Sequence, residues 1–290
     1  MTLRTRFAPS PTGPLHLGHA YSAFFASDLA TADHGTFLLR IEDIDRARSR
    51  SHWEEQIFED LQWLGLTWPQ PVMRQSHRLK KYADAIGRLK SMNLLYPCTC
   101  NRRDIETAAS APQEGAPPRF GPDGMIYPGT CRARRFADIG ATPHAIRLDI
   151  AKALKSLSDQ NLLPLMFFEK AHDVSNPVVL SEHDMVQNVG DIVLARRDMG
   201  TSYHLSVVVD DAAQGITDVV RGADLFDATQ IHVLLQALLG YRVPHYHHHR
   251  LVRDKNGKRL AKRDDARAIA KFRADGCTPS DIRKMLGLDP

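Results

Sequence analysis

Two histidines three positions apart, His16 and His19, flank Leu17-Gly18 directly after a turn-prone run, Pro9-Ser10-Pro11-Thr12-Gly13-Pro14. The stretch behind them, Ala20 to Ala32, is rich in alanine and aromatic residues and holds no breaker, so it reads as a helix. A helix start offers unpaired N–H groups and the positive end of a dipole, and two imidazoles beside it add donors. That combination suits a nucleotide phosphate. Alone, the four-residue pattern is equally a turn with two solvated histidines. A second candidate lies far along the chain. Arg253-Asp254-Lys255-Asn256-Gly257-Lys258-Arg259-Leu260-Ala261-Lys262-Arg263 is a glycine-containing loop dense in cations. With His16 and His19 it would bracket a triphosphate from two sides.

These groups need a scaffold. Phe37-Leu38-Leu39-Arg40-Ile41 has strand character and ends on Glu42-Asp43-Ile44-Asp45-Arg46. Trp53, Ile57, Leu61 and Leu64 then recur at helical spacing with Gly65 at the C-terminal cap, and Leu79, Tyr82, Ile86 and Leu89 repeat the pattern. A strand between helices predicts a parallel α/β unit, in which ligands collect at the carboxyl ends of strands, where Glu42 falls. From Tyr96 to Pro143 glycine and proline punctuate the chain, and Ala108 to Gly124 has no periodicity, which reads as an inserted module with a loop. Asp191-Ile192-Val193-Leu194-Ala195 and Leu205 to Asp211 read as strands, the second as a buried parallel one ending on a double carboxylate. Asp218-Val219-Val220-Arg221-Gly222 is a third. Thr229 to Leu239 predicts a helix closed by Gly240, with Asp227 as its N-cap.

The 290 residues hold one large domain or two smaller ones, and 43% hydrophobic with 25% charged residues is ordinary for a globular protein. The overall charge is +4, but Arg250 to Arg273 holds ten basic residues against three acids, so the remainder sums to −3. A concentrated basic stretch suits polyphosphate or an RNA backbone. No apolar run approaches the roughly 18 residues of a membrane span, and the N-terminus lacks a signal peptide's apolar core. Cysteine is scarce, with Cys98, Cys100 and Cys131 loosely grouped, which fits a reducing cytosol and argues against a disulfide framework. His245, His247, His248 and His249 tempt a metal reading, yet no carboxylate or cysteine partner is evident, and a role near the nucleotide or at the surface is expected instead.

Together the motifs resemble the class I aminoacyl-tRNA synthetases. His16-Leu17-Gly18-His19 is similar to their first signature, and Arg259-Leu260-Ala261-Lys262-Arg263 to a degenerate second, with Arg259 and Ala261 standing where Lys and Ser are commoner. Arg6 to Gly13, Arg40 to Arg46, Tyr203-His204-Leu205 and Asp218 to Gly222 resemble the glutamyl branch. The resemblance implies an α/β, Rossmann-like catalytic core with an inserted zinc-bearing module and a short helical C-terminal stub. Its parts would span 1–95, 96–189, 190–245 and 246–290. The chain ends soon after the second signature, where full-length glutamyl enzymes continue into an anticodon-binding domain. It therefore most resembles their truncated paralogues, which activate glutamate without tRNA and esterify it to the queuosine of tRNA(Asp).

That likeness implies ATP, L-glutamate and queuosine-bearing tRNA(Asp) as partners and a monomer as the chain's own state. It places glutamate against Arg6, Phe7, Ala8, Pro9, Ser10, Glu42, Tyr203 and Arg221. Glu42 would hold the ammonium and Arg221 would grip the side-chain carboxylate bidentately. ATP would meet His16, Gly18, His19 and Arg259 to Arg263, with Mg²⁺ carried by the phosphates and His16, His19 and Lys262 catalytic. Such a site should reject glutamine by roughly 10⁴, since a buried cation would lose its partner, but aspartate by only about 1–3 kcal/mol. Cys98, Cys100, Tyr127 and Cys131 are implied as a structural zinc site, with the tyrosine an unusual fourth ligand. Two other readings stay open: a compact glutamyl-tRNA synthetase charging a 3′ end, and a non-catalytic RNA- or amino-acid-binding module.

Overall fold

A computed structural model describes residues 2–109, 119–170, 177–252 and 268–288. Three strands, Arg4–Phe7, Thr36–Ile41 and Met73–Arg74, pair parallel in chain order. Asp218–Gly222 and His245–His249 form a second parallel pair. The two pieces abut where the Thr217 N–H donates to the Arg4 carbonyl at 3.0 Å. Read across, the first strand lies between Thr36–Ile41 and Asp218–Gly222, so the order in which strands are added reverses beside it. In a doubly wound fold that switch point is where ligands bind, just beyond the strand ends Phe7, Ile41 and Gly222.

The predicted helices at Leu17–Ala32, Ser51–Trp63, Leu79–Ser91 and Thr229–Leu239 are present. Gly65 follows the second with φ +80°, and Gly240 closes the last in the left-handed region. The N-cap of that last helix is Ala228, with no side-chain cap bond, so Asp227 does not take the expected role.

The run Leu205 to Asp211 departs further from expectation. It lies within a helix, Tyr203–Gln214, started by the Ser202 hydroxyl accepting from the Leu205 N–H and stopped by Gly215 at φ +63°. Eight consecutive residues, His204 to Asp211, are buried. A helix enclosed on all sides loses its amphipathic period, and three valines in a row then imitate a central strand.

Downstream of Tyr96 a separate antiparallel sheet runs in the order Val193–Ala195, Ala145–Leu148, Leu95–Cys98. A short hairpin, Phe120–Gly121 with Gly124–Met125, reaches from this region toward the strand ends of the parallel sheet. Cys98, Cys100, Tyr127 and Cys131 make a small cluster of their own. No helix among the described residues is long and apolar enough to cross a membrane.

Candidate active site

The helix Leu17–Ala32 begins on a reciprocal cap made by the two histidines. His16 is the N-cap, and its Nδ1 accepts from the Gly18 N–H at 3.1 Å. The Nδ1 of His19 accepts from the His16 N–H, also at 3.1 Å. With Nδ1 an acceptor on both rings, the proton of each neutral imidazole sits on Nε2, so both present N–H donors beyond the helix start. The rings stack with centroids 3.8 Å apart. A Cβ on Gly18 would fall 3.0–3.2 Å from the His16 ring, so a larger residue would press on the stacked pair. Capping chemistry and phosphate chemistry thus use the same two side chains.

A cavity of about 820 Å³ opens beside this helix start. Its wall runs from His19 and Thr12 through Phe7, Ala8, Pro9 and Ser10 to Glu42, Tyr203 and Ala228, with Pro122 and Asp123 of the hairpin on the far side. Phe7 ends the first strand and Ala8 to Ser10 follow it, Glu42 follows the second, and Tyr203 opens the helix Tyr203–Gln214. Phe7 to Ser10, Glu42 and Tyr203 of the expected amino-acid end thus share one space with His19 of the phosphate end, while His16, Gly18, Arg6 and Arg221 do not line it.

Arg6 and Arg221 are buried behind that wall, on the two strands that flank the switch point. Their surroundings differ. Arg6 donates to both oxygens of Asp211, Nε to Oδ1 at 3.0 Å and Nη2 to Oδ2 at 3.2 Å. Arg40, fully buried, donates to Asp211 Oδ1 at 2.7 Å and to Glu42 Oε1 at 3.0 Å. Arg221 has no carboxylate partner among the described residues. Its three bonds go to His248 Nε2 (3.0 Å), His232 Nδ1 (3.0 Å) and Thr229 Oγ1 (2.7 Å). Arg6 and Arg40 thus bond carboxylates directly, whereas the Glu169 carboxylate reaches Arg221 only through His248.

The titration behaviour follows this geometry. Burial pushes the Asp211 carboxyl up, but Arg6 and Arg40 more than offset it and hold the group below the usual carboxylate range. For Glu42 burial wins over the attraction of Arg40, so its carboxyl is raised. Its Oε2 has no hydrogen-bond partner among the described residues and sits at the cavity wall, where an ammonium would both pair with it and relieve that shift. Burial, reinforced by the charge of Arg221, keeps His232 neutral.

The second cationic motif, Arg259 to Arg263 with Lys262, lies outside the described residues. The chain on its far side is anchored at the helix start: Ala268 bridges to His16, and the Ile269 N–H donates to the Leu15 carbonyl at 2.9 Å.

The sequence reading left out Arg40, Asp211, His204, His232 and Glu169. Arg40 and Asp211 stood inside noted motifs, and the rule that a buried cation requires a carboxylate would have linked them. The histidines of the last strand also need correction. Carboxylate partners are present after all, and only His245 stays partly exposed: His247 pairs with Asp218 at 2.9 Å, His248 bonds the Glu169 carboxylate, and His249 meets Ser22 Oγ at 2.6 Å. The carboxylate partners come from elements distant in sequence. Arg221, for its part, makes no salt bridge with Asp218 or Asp224.

The cysteines converge. The Sγ atoms of Cys98, Cys100 and Cys131 lie within 4.8 Å of one another, and all four cysteines are free thiols. Tyr127 Oη is 3.4 Å from Cys98 Sγ and 3.5 Å from Cys100 Sγ. The Arg147 guanidinium lies 3.8 Å over the Tyr127 ring, while burial and the neighbouring thiols push the Tyr127 phenol up and favour its neutral form.

Comparison with known proteins agrees with this architecture. The family model for the catalytic domain of class I tRNA synthetases (E and Q) matches residues 2–288. A Rhodobacter capsulatus protein named Glutamyl-Q tRNA(Asp) synthetase is 56% identical over 293 residues, covering 98% of this chain and 99% of its own length. A Symbiobacterium thermophilum protein of the same name is 39% identical, with 96% and 83% covered. Among solved structures, a glutamate tRNA ligase from Elizabethkingia meningosepticum in complex with its amino acid superposes with a TM-score of 0.73 at 25% identity. That alignment covers 97% of this chain and 59% of the larger protein, so the chain spans about three-fifths of that structure.

Proposed function

Because the chain belongs to the class I tRNA synthetases of the E and Q type, we propose that it activates L-glutamate with ATP and transfers it to the queuosine of tRNA(Asp). The observation that carries the amino-acid end is the buried Arg221, which bonds no carboxylate directly among the described residues, together with Glu42 at the cavity wall. Glutamate brings one ammonium, which suits Glu42, and a side-chain carboxylate, which suits Arg221. The acceptor assignment rests on the relatives named Glutamyl-Q tRNA(Asp) synthetase, which this chain matches over nearly its whole length.

In the first step an oxygen of the substrate α-carboxylate attacks the ATP α-phosphorus. A P–O bond forms, and the bond to the bridging oxygen breaks with its electron pair leaving on pyrophosphate. The nucleophile is already ionised, so no general base is needed, and the acceleration comes from alignment and from donors aimed at the developing charge. Arg221 would grip the side-chain carboxylate, with Arg6 as a second cation already shared with Asp211. Glu42 would hold the ammonium, and Tyr203 with Phe7 to Ser10 would wall the chain between them. The Nε2–H groups of His16 and His19 would meet the phosphates, joined by Lys262 and the basic segment, and Mg²⁺ would ride on the phosphates. In the second step a hydroxyl of the queuosine cyclopentene diol attacks the adenylate carbonyl. AMP leaves with the electron pair, and the hydroxyl proton passes to solvent or to the departing phosphate.

The test has two stages. ATP–pyrophosphate exchange should occur with glutamate and no RNA, which a pure binding module would fail to show. Radiolabelled glutamate should then pass to tRNA(Asp) carrying queuosine and not to queuosine-free tRNA(Asp). Charging of tRNA(Glu) at its 3′ terminus instead would mark a compact glutamyl-tRNA synthetase.

The three thiols and Tyr127 suit one tetrahedral zinc of structural type, since four protein ligands would close the shell and leave no open position for a water. Elemental analysis of protein purified from zinc-containing medium should find about one zinc per chain. The substitution Cys131→Ser should lose the metal and lower the melting temperature, and metal-free wild-type protein of unchanged stability would remove the assignment.

A further inference from the structure

Arginine only donates hydrogen bonds, and this fixes the direction of every bond around Arg221. His232 must accept at Nδ1, so its proton sits on Nε2, which faces His204 Nδ1 at 3.1 Å. His204 in turn accepts at Nδ1 and carries its own proton on Nε2, 3.3 Å from Asp123 Oδ1. On the other side His248 accepts from Arg221 at Nε2, so its proton is on Nδ1 and is donated to the Glu169 carboxylate. The second Glu169 oxygen accepts the His248 backbone N–H at 3.1 Å. Two chains converge on one guanidinium, and each ends on a carboxylate that stays one or two imidazoles away from it.

We propose that His232, His204 and Asp123, with His248 and Glu169 opposite, are positioning residues that aim Arg221 while leaving its charge for the substrate. This deepens the glutamate reading above and rests on it. A carboxylate bonded directly to Arg221 would orient it equally well but would compete with the side-chain carboxylate of glutamate, as Asp211 does at Arg6. A neutral imidazole supplies an acceptor without supplying a counter-charge. Burial lowers the pKa of both His232 and His248 toward that neutral state, Arg221 assisting in each case. The chain through His204 also reaches the hairpin. Asp123 belongs to the cavity wall with Pro122, so the segment Phe120 to Met125 becomes part of the amino-acid site although it hangs from the antiparallel sheet.

The test uses the full chain in glutamate-dependent ATP–pyrophosphate exchange. His232→Gln retains an acceptor toward Arg221 and a donor toward His204, whereas His232→Phe keeps ring size and loses both. His232→Phe should raise the glutamate KM by about ten- to a hundredfold, leaving the ATP KM within about twofold. His232→Gln should stay within about threefold of wild type, a rescue that ring packing alone would not give. Asp123→Ala should raise the glutamate KM about threefold in the wild-type background and add nothing in His232→Phe, because the chain is already cut. Equal glutamate KM values in the Gln and Phe variants, or full additivity with Asp123→Ala, would overturn the chain. Its geometry is also read without activity. ¹⁵N resonances of His232 in the ligand-free protein should report the Nε2–H tautomer, and an Nδ1–H tautomer would overturn it. A wild-type-like glutamate KM in Arg221→Ala would instead locate the failure in the glutamate reading itself.

Discussion

Replacing Arg221 with alanine should abolish glutamate activation while ATP still binds. Removing one partner of a buried, hydrogen-bonded charge pair costs about 2–5 kcal/mol or more, which is roughly 30- to several-thousandfold in glutamate kcat/KM. The ATP dissociation constant, read by calorimetry without glutamate, should change by about twofold at most, since the helix start at His16 is untouched. Arg221→Lys should recover only part of the loss, because an ammonium cannot serve His248, His232 and Thr229 and still present a fork to a carboxylate. Arg221 is also a packing hub, so a thermal melt must show both variants folded. Parallel loss of ATP and glutamate binding in a folded Arg221→Ala protein would disprove the assignment.

The second large effect concerns the paired histidines, and their double role can be separated. Asparagine is among the best N-cap residues, so His16→Asn preserves the start of the helix Leu17–Ala32 and removes only the imidazole. That variant, and His19→Ala, should lower kcat for pyrophosphate exchange by about 10²–10³-fold each, the usual cost of one donor aimed at transition-state charge. The glutamate KM should hardly move. Melting temperature distinguishes the two: His16→Asn should melt close to wild type, while His16→Ala should lose about 1 kcal/mol of cap energy in addition to activity. A His16→Asn enzyme with full kcat would show that His16 serves the helix alone.

Much of this was legible in the sequence where the signal is local. The helix start beside His16 and His19, the strand ending on Glu42 and the helices from Leu79 and Thr229 follow from turn residues, periodicity and glycine caps within short windows. Asp218 to Gly222 read correctly as a strand for the same reason. Leu205 to Asp211 did not, because burial on every face erases the period that separates helix from strand. The four clustered histidines failed for a different reason. Their partners Asp218, Glu169 and Ser22 lie 29, 79 and 227 residues away in sequence, and no spacing rule reaches across that distance.

The chain by itself determined which chemistry is available: two histidines at a helix start, an acid at a strand end, an arginine before a glycine, three cysteines with a tyrosine. Side-chain type and local backbone preference are encoded residue by residue, and they suffice for that inventory. Only the tertiary structure decided how the charges are distributed. Arg6 and Arg221 look equivalent on paper, yet Asp211 neutralises the first while imidazoles hold the second. That difference depends on which groups are buried together in a medium that screens poorly, and it is a property of the fold rather than of either segment.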